Sequence, residues 1–220
     1  MNAELFREID GYVESLFVEE DPILAQALSD AAAARLPQIQ VSPNQGKALY
    51  LFAKMSGAKH ILEIGTLGGY STIWLARALS GMGTLTTLEL DQKHADVARK
   101  NLDRAGFGSR VRIEVGPAAE TMQRMIDRRE TPFDLIFIDA DKPGYSKYLD
   151  LSIQLSRPGT IILADNLIRD GAVMDANVED ENARAARVFN AKLAAEPRLE
   201  SIIIPFVKAR VDGMSISIVR

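Results

Sequence analysis

From residue 60 onward the chain alternates short apolar runs with amphipathic stretches of helical period. The runs His60–Ile64, Thr84–Leu90, Val111–Val115, Phe133–Ile138, Thr160–Ala164, Leu199–Ile204 and Ser215–Val219 have the length of strands. Helical segments lie between the first five, such as Gln92–Ala105, which carries Ala95, Ala98, Leu102 and Ala105 on one face. This alternation predicts an α/β fold, a doubly wound and mainly parallel sheet covered on both sides. Only Pro205–Met214 separates the last two runs, too short for a helical crossover, so that pair is expected to be antiparallel.

The first forty residues carry the helical period alone. Leu5, Ile9, Tyr12, Val13 and Leu16 form one apolar stripe, and Asp21-Pro22 supplies a cap for a second helix with Leu24, Ala27, Leu28 and Ala31. Ser42-Pro43-Asn44-Gln45 is a capping box with proline at the first helical position. Ala48, Leu51, Phe52 and Met55 are the expected buried stripe of that third helix, closed by Gly57 in the left-handed conformation. No repeat or linker is visible. Residues 1–40 therefore read as a helical extension of a single domain whose body spans 41–220.

Composition narrows the chemistry. With 26 basic and 30 acidic residues the net charge is −4, the wrong sign for general nucleic-acid binding. No apolar run reaches membrane-spanning length and the first residues lack a basic signal region, so a cytoplasmic protein with no membrane partner is expected. Zero cysteines exclude disulfides, thiolate metal sites and cysteine nucleophiles. The two histidines, His60 and His94, are far apart and no Gly-x-Ser-x-Gly elbow exists, which disfavours zinc and serine-hydrolase chemistry. Both read as structural or solvated. Acid–base work then falls to Lys, Tyr, Asp, Glu or a metal.

The first run leads into Glu63-Ile64-Gly65-Thr66-Leu67-Gly68-Gly69-Tyr70-Ser71. A glycine turn between strand and helix lets a ligand reach free N–H groups. The dinucleotide fingerprint Gly-x-Gly-x-x-Gly fails here twice, at Leu67 and Tyr70. Glu63 at a buried strand end suits a cationic group such as an amine or a sulfonium-bearing amino acid. Glu89 closes the second run, where an acid is placed to accept ribose hydroxyls. The fourth and fifth runs end in Asp139-Ala140-Asp141-Lys142 and Asp165-Asn166. Asp139, Asp165 and Asn166 form a hard-oxygen set suited to Mg²⁺, with Lys142 beside them as a base; a helix cap and a turn are the plainer explanations of the same residues. Tyr145 and Tyr148 fit either an acceptor-stacking role or core packing.

Taken in order, Leu62–Ser71, Asp139–Lys142 and Asp165-Asn166 resemble the metal-dependent O-methyltransferases of the catechol and caffeoyl-CoA type, class I S-adenosylmethionine enzymes, from about Val41 to the C-terminus. The resemblance implies a seven-stranded Rossmann-like sheet with its seventh strand antiparallel, and a homodimer. It implies that Glu63 and Gly65 hold the methionine part of the cofactor, Ser71 its carboxylate and Glu89 its ribose. Ala118 would lie by the adenine and Val41 over the cofactor, with Thr66 and Asp139 completing that set. It places Mg²⁺ or another divalent cation on Asp139, Asp165 and Asn166, and makes Lys142 the base, with Asp139 beside it in catalysis, toward a small phenolic acceptor. Lys208–Gly213 keeps Asp-Gly but lacks the Lys-Gly-Tyr often found before it, a departure that touches the acceptor. A metal-independent methyltransferase shares the cofactor residues, and a non-catalytic adenosine-binding module shares the fold. A nucleic-acid methyltransferase would show Asn/Asp-Pro-Pro-Tyr or a basic face, and neither is visible.

Overall fold

A computed structural model describes residues 3–19, 21–207 and 211–220. Three helices open the chain: α1 (Ala3–Phe17), α2 (Pro22–Ala33) and α3 (Pro43–Met55). Then follow β1 (His60–Ile64), α4 (Tyr70–Ala78), β2 (Thr84–Glu89), α5 (Gln92–Arg104), β3 (Val111–Val115), α6 (Ala118–Asp127), β4 (Phe133–Ile138), α7 (Tyr145–Gln154), β5 (Ser156–Ala164), α8 (Glu181–Ala195), β6 (Leu199–Val207) and β7 (Val211–Val219). The strands form one sheet in the order β3-β2-β1-β4-β5-β7-β6. The first five pair in parallel, and β7 runs antiparallel to both β5 and β6.

Alternation along each strand divides the core in two. Ile61, Leu85, Leu135, Phe137 and Leu163 face a layer that includes Leu49, Ile73, Trp74 and Leu102 from α3, α4 and α5. Leu62, Leu88, Ile136, Ile138 and Ile162 face Met122, Leu149 and Phe189 from α6, α7 and α8. A sheet buried on both faces explains why its strands read as nearly continuous apolar runs.

Several boundaries and one helix face differ from expectation. β2 stops at Glu89 and leaves Leu90 72% exposed. β5 begins at Ser156, and the β6–β7 pairing extends through Pro205↔Gly213 to Val207↔Val211. Pro205 is tolerated because β6 is the edge strand. The capping box forms with both reciprocal bonds, and Gly57 is left-handed. The buried face of α3, however, is Gln45, Gly46, Leu49 and Ala53, while Leu51 and Met55 are exposed and Ala48 and Phe52 only half-buried. The indole of Trp74 lies against Gly46, so a glycine and a glutamine occupy the face that apolar counting gave to Leu51 and Met55. On α1 no residue is buried, and Leu5, Ile9, Tyr12 and Leu16 point outward. Among the described residues no helix is long and apolar enough to cross a membrane.

Candidate active site

The parallel ladder continues past the strand ends and ties four loops together. The amide of Gly65 donates to Leu88, that of Asp139 to Ile64, that of Asp165 to Ile138 and that of Gly116 to Glu89. Functional side chains on these loops thus share one rigid rim at the carboxyl ends of the strands, where open α/β sheets bind ligands. The rim opens into a cavity of about 1150 Å³. Val41, Gly65, Thr66, Ser71, Glu89, Ala118, Asp139, Lys142, Asp165 and Asn166 all line it.

Gly65 is required by geometry. Its φ is +100°, and a Cβ there would overlap the main-chain oxygen of Asp139. The glycine therefore admits the neighbouring strand end rather than simply leaving room for a ligand. Beneath it stands Glu63, fully buried and absent from the cavity wall, contrary to the expectation that it meets a ligand directly. Its carboxylate accepts from Ser71 Oγ at 2.7 Å, Thr72 Oγ1 at 2.5 Å and Thr87 Oγ1 at 2.7 Å. Burial pushes its pKa up to about 7 against the pull of these three hydroxyls. Ser71 relays it to the cavity directly, and Thr87 does so through Thr66 Oγ1 at 2.6 Å. Glu89 Oε2 accepts from the amides of Thr66 (3.2 Å) and Leu67 (2.8 Å), which shapes the glycine turn, and Oε1 lies 3.4 Å from His94 Nδ1.

At the other end, Asp165 is 2% exposed. Burial, and then the charge of Asp139, push its pKa up to about 7. Asn166 follows it in the left-handed region (φ +62°) and donates its amide to Asp165 Oδ1 at 2.8 Å. Lys142 is buried and reaches three acceptors from Nζ: Tyr145 Oη at 2.5 Å, Ala140 O at 3.1 Å and Asp139 Oδ1 at 3.3 Å. Tyr145 lies in the core, its hydroxyl within 3.2 Å of Ile138 O and 3.1 Å of Asp165 O, so it cannot stack on an acceptor. Burial holds its phenol well above the ordinary tyrosine range. Tyr148 does line the cavity, with its hydroxyl 2.6 Å from Asp141 Oδ1.

Sequence reasoning missed Gln45, His94, Thr72, Thr87, Arg169 and Asp212 as parts of this site. The capping box uses only Oε1 of Gln45, and nothing in the sequence marks that its Nε2 reaches Asp165. Arg169 carries no motif, and Asp212 appeared only within the Asp-Gly departure, of which Lys208–Arg210 lie outside the described residues. Among the described residues no group of three or more His, Asp or Glu is placed to hold a metal. The set expected from the sequence counts only two carboxylates and one amide. That is compatible with Mg²⁺, which keeps several ligand positions for water and substrate.

A seven-stranded 3-2-1-4-5-7-6 sheet with a glycine turn after β1 and an acid ending β2 defines a Rossmann-like nucleoside-binding enzyme. Residues 14–218 match the O-methyltransferase family, and the chain belongs to it. It is 49% identical over the full length of both chains to a catechol O-methyltransferase of Niastella koreensis. An O-methyltransferase of Bacillus cereus solved with S-adenosylhomocysteine superimposes with a TM-score of 0.96 at 43% identity, covering 99% of this chain and 100% of the other. A Streptomyces achromogenes O-methyltransferase of tomaymycin synthesis, solved with S-adenosylmethionine, gives 0.94 at 37% identity over 100% and 99% of the two chains. The protein is an S-adenosylmethionine-dependent O-methyltransferase with a small-molecule acceptor.

Proposed function

We propose that this enzyme methylates one hydroxyl of a vicinal aromatic diol, with Mg²⁺ held by Asp139, Asp165 and Asn166. The observation that carries the reading is that these three residues and Lys142, from two neighbouring strand ends, line one cavity with the glycine turn. The donor set fits the cation: two hard carboxylates whose mutual repulsion is felt at Asp165, and an amide oxygen beside them. The Niastella koreensis relative, named for catechol, supports the acceptor class.

The cofactor would supply an electrophilic sulfonium methyl, and Mg²⁺ held by Asp139, Asp165 and Asn166 would supply Lewis acidity that makes an acceptor hydroxyl more acidic. In this reading Val41, Gly65, Thr66, Glu89 and Ala118 shape the cofactor end. Ser71, oriented by Glu63, takes the cofactor's amino-acid group. Lys142 Nζ, 3.3 Å from Asp139 Oδ1, receives the hydroxyl proton in its neutral amine form or, as an ammonium, steadies the resulting oxyanion. Its bond to Asp139 is the longest of its three and the one to be exchanged for the acceptor. Holding oxygen, methyl and sulfur in line supplies much of the remaining acceleration.

Helix α2 and the segment after it act here as a cover, since Ala27, Leu28, Ala31 and Gln38 line the cavity. The outward apolar stripe of α1, with exposed Ile202 and Ile204 on edge strand β6, fits the surface of a homodimer, and the reading is of a cytoplasmic one. Calorimetric titration of Mg²⁺ into protein saturated with S-adenosylhomocysteine tests the metal assignment. Binding in the wild type and none in Asp139→Ala is expected; identical isotherms would refute it.

A further inference from the structure

We propose that Arg169 reads a carboxylate on the acceptor, so that the preferred substrates are acidic catechols, aromatic diols carrying a carboxylate. This rests on the diol reading above. Arg169 lines the cavity beside Asn166, Asn182 and Phe206, at the end away from the glycine turn and Glu89. Its placement is enforced by backbone strain. Arg169, Asp170 and Gly171 are consecutively left-handed, with φ of +51°, +55° and +88°. Asp212 holds the start of this turn: its Oδ1 accepts from the amides of Ile168 (3.0 Å), Arg169 (3.0 Å) and Gly213 (2.9 Å). Non-glycine residues persist in this region only where surrounding structure over-determines them, commonly at ligand-binding positions.

The guanidinium is under-used. Nε is buried and, among the described residues, makes no hydrogen bond. Among the described residues its ion-pair contact is Asp180 Oδ2 at 3.5 Å. That oxygen already accepts the Ala183 amide at 2.8 Å as the N-cap of α8, and the Asp180 side chain is 50% exposed. Asp180 thus offers Arg169 a countercharge without a well-formed hydrogen bond. Among the described residues, the charged groups that share the cavity wall with Arg169 include Asp212, which accepts the loop amides, Asp141, which accepts from Tyr148, and the Asp139–Lys142 and Asp165 cluster, where the diol oxygens are placed. An aromatic acid spanning the two ends brings its diol to that cluster and its carboxylate to Arg169, whose planar fork matches a carboxylate with two parallel bonds.

The test compares 3,4-dihydroxybenzoate with its amide, 3,4-dihydroxybenzamide, which keeps the diol and loses the charge. Wild-type kcat/KM is expected to favour the acid by roughly ten- to a hundredfold, and Arg169→Met to erase most of that ratio. Arg169→Lys should restore part of it. Equal use of acid and amide by the wild type, or an unchanged ratio in Arg169→Met, overturns the proposal. S-adenosylhomocysteine binding by calorimetry reports whether Arg169→Met is folded; if it is not, the wild-type acid-to-amide ratio and Arg169→Lys decide. Should neither diol turn over, the diol reading fails separately. Calorimetric binding of the benzoate to wild type but not to Arg169→Lys or Arg169→Met then still supports the carboxylate site, and absence of binding to the wild type refutes it.

Discussion

The side-chain amide of Gln45 donates to both carboxylate oxygens of Asp165, at 3.3 Å each, while its Oε1 accepts the amide of Ser42 at 3.0 Å. A helix cap beside the cavity-lining Val41 is thereby joined to a carboxylate 120 positions away. Gln45→Leu should cost about 1–2 kcal/mol from the lost cap bond and the stranded partners. For a chain of this size that is a fall of several degrees in Tm, measurable by calorimetry. A Tm equal to wild type would show that neither bond matters.

Gly57 and Gly65 are both left-handed but differ in surroundings. Nothing lies within 4 Å of a Cβ at Gly57, whereas one at Gly65 meets the Asp139 main chain. Gly57→Ala is expected to cost about 1–2 kcal/mol, the conformational penalty alone. Gly65→Ala should cost clearly more and also weaken S-adenosylhomocysteine binding, because the Asp139 end of β4 must move. Paired thermal melts and calorimetry check the contrast; equal effects would contradict it.

The carboxyl of Glu63 is raised in the folded protein from 4.5 to about 7. The folded state therefore holds its proton more tightly than the unfolded chain. Stability from this group is complete below pH 4.5 and is lost as pH rises through about 7. Asp165, raised to about 7, acts in the same direction. Carboxylates lowered in the fold, such as Asp21 beside Arg77 and Glu196 beside Arg198, act only at more acid pH. Glu63→Gln should flatten the decline in urea midpoint between pH 5 and 7.5. An unchanged slope would assign the decline elsewhere.

Tyr145→Phe removes the shortest bond of Lys142 and the hydroxyl between the ends of β4 and β5. The loss should be about 1–3 kcal/mol in stability, with kcat falling roughly tenfold as Lys142 loses its fixed position. Cofactor affinity, set at the other end of the cavity, should change much less. Equal losses in kcat and cofactor affinity would indicate general disruption instead.

The sheet was legible because its central parallel strands are buried on both faces, so apolar runs such as Ile136–Ile138 mark strands directly, while edge strand β3 keeps only an alternating pattern. The cavity wall was largely legible because Gly65, Glu89, Asp139 and Asp165 sit at strand ends, where a local motif fixes position. What the chain concealed is what depends on tertiary pairing. Gln45 and Asp165, or His94 and Glu89, have no signature linking them. The face of α3 was misassigned because Gly46 and Gln45 are buried for reasons of fit and hydrogen bonding that hydropathy does not register. Glu63 was expected at the cavity because a strand end gives depth along the sheet but not which layer a side chain occupies.

The most direct test of the account is S-adenosylhomocysteine release by purified protein given S-adenosylmethionine and matched acceptors, with Mg²⁺ or with chelator. Turnover of vicinal diols, absent for single phenols and abolished by chelator, is the predicted result. Undiminished turnover in chelator, or equal turnover of a single phenol, would contradict the assignment of Asp139, Asp165 and Asn166 to a cation that gathers two acceptor oxygens.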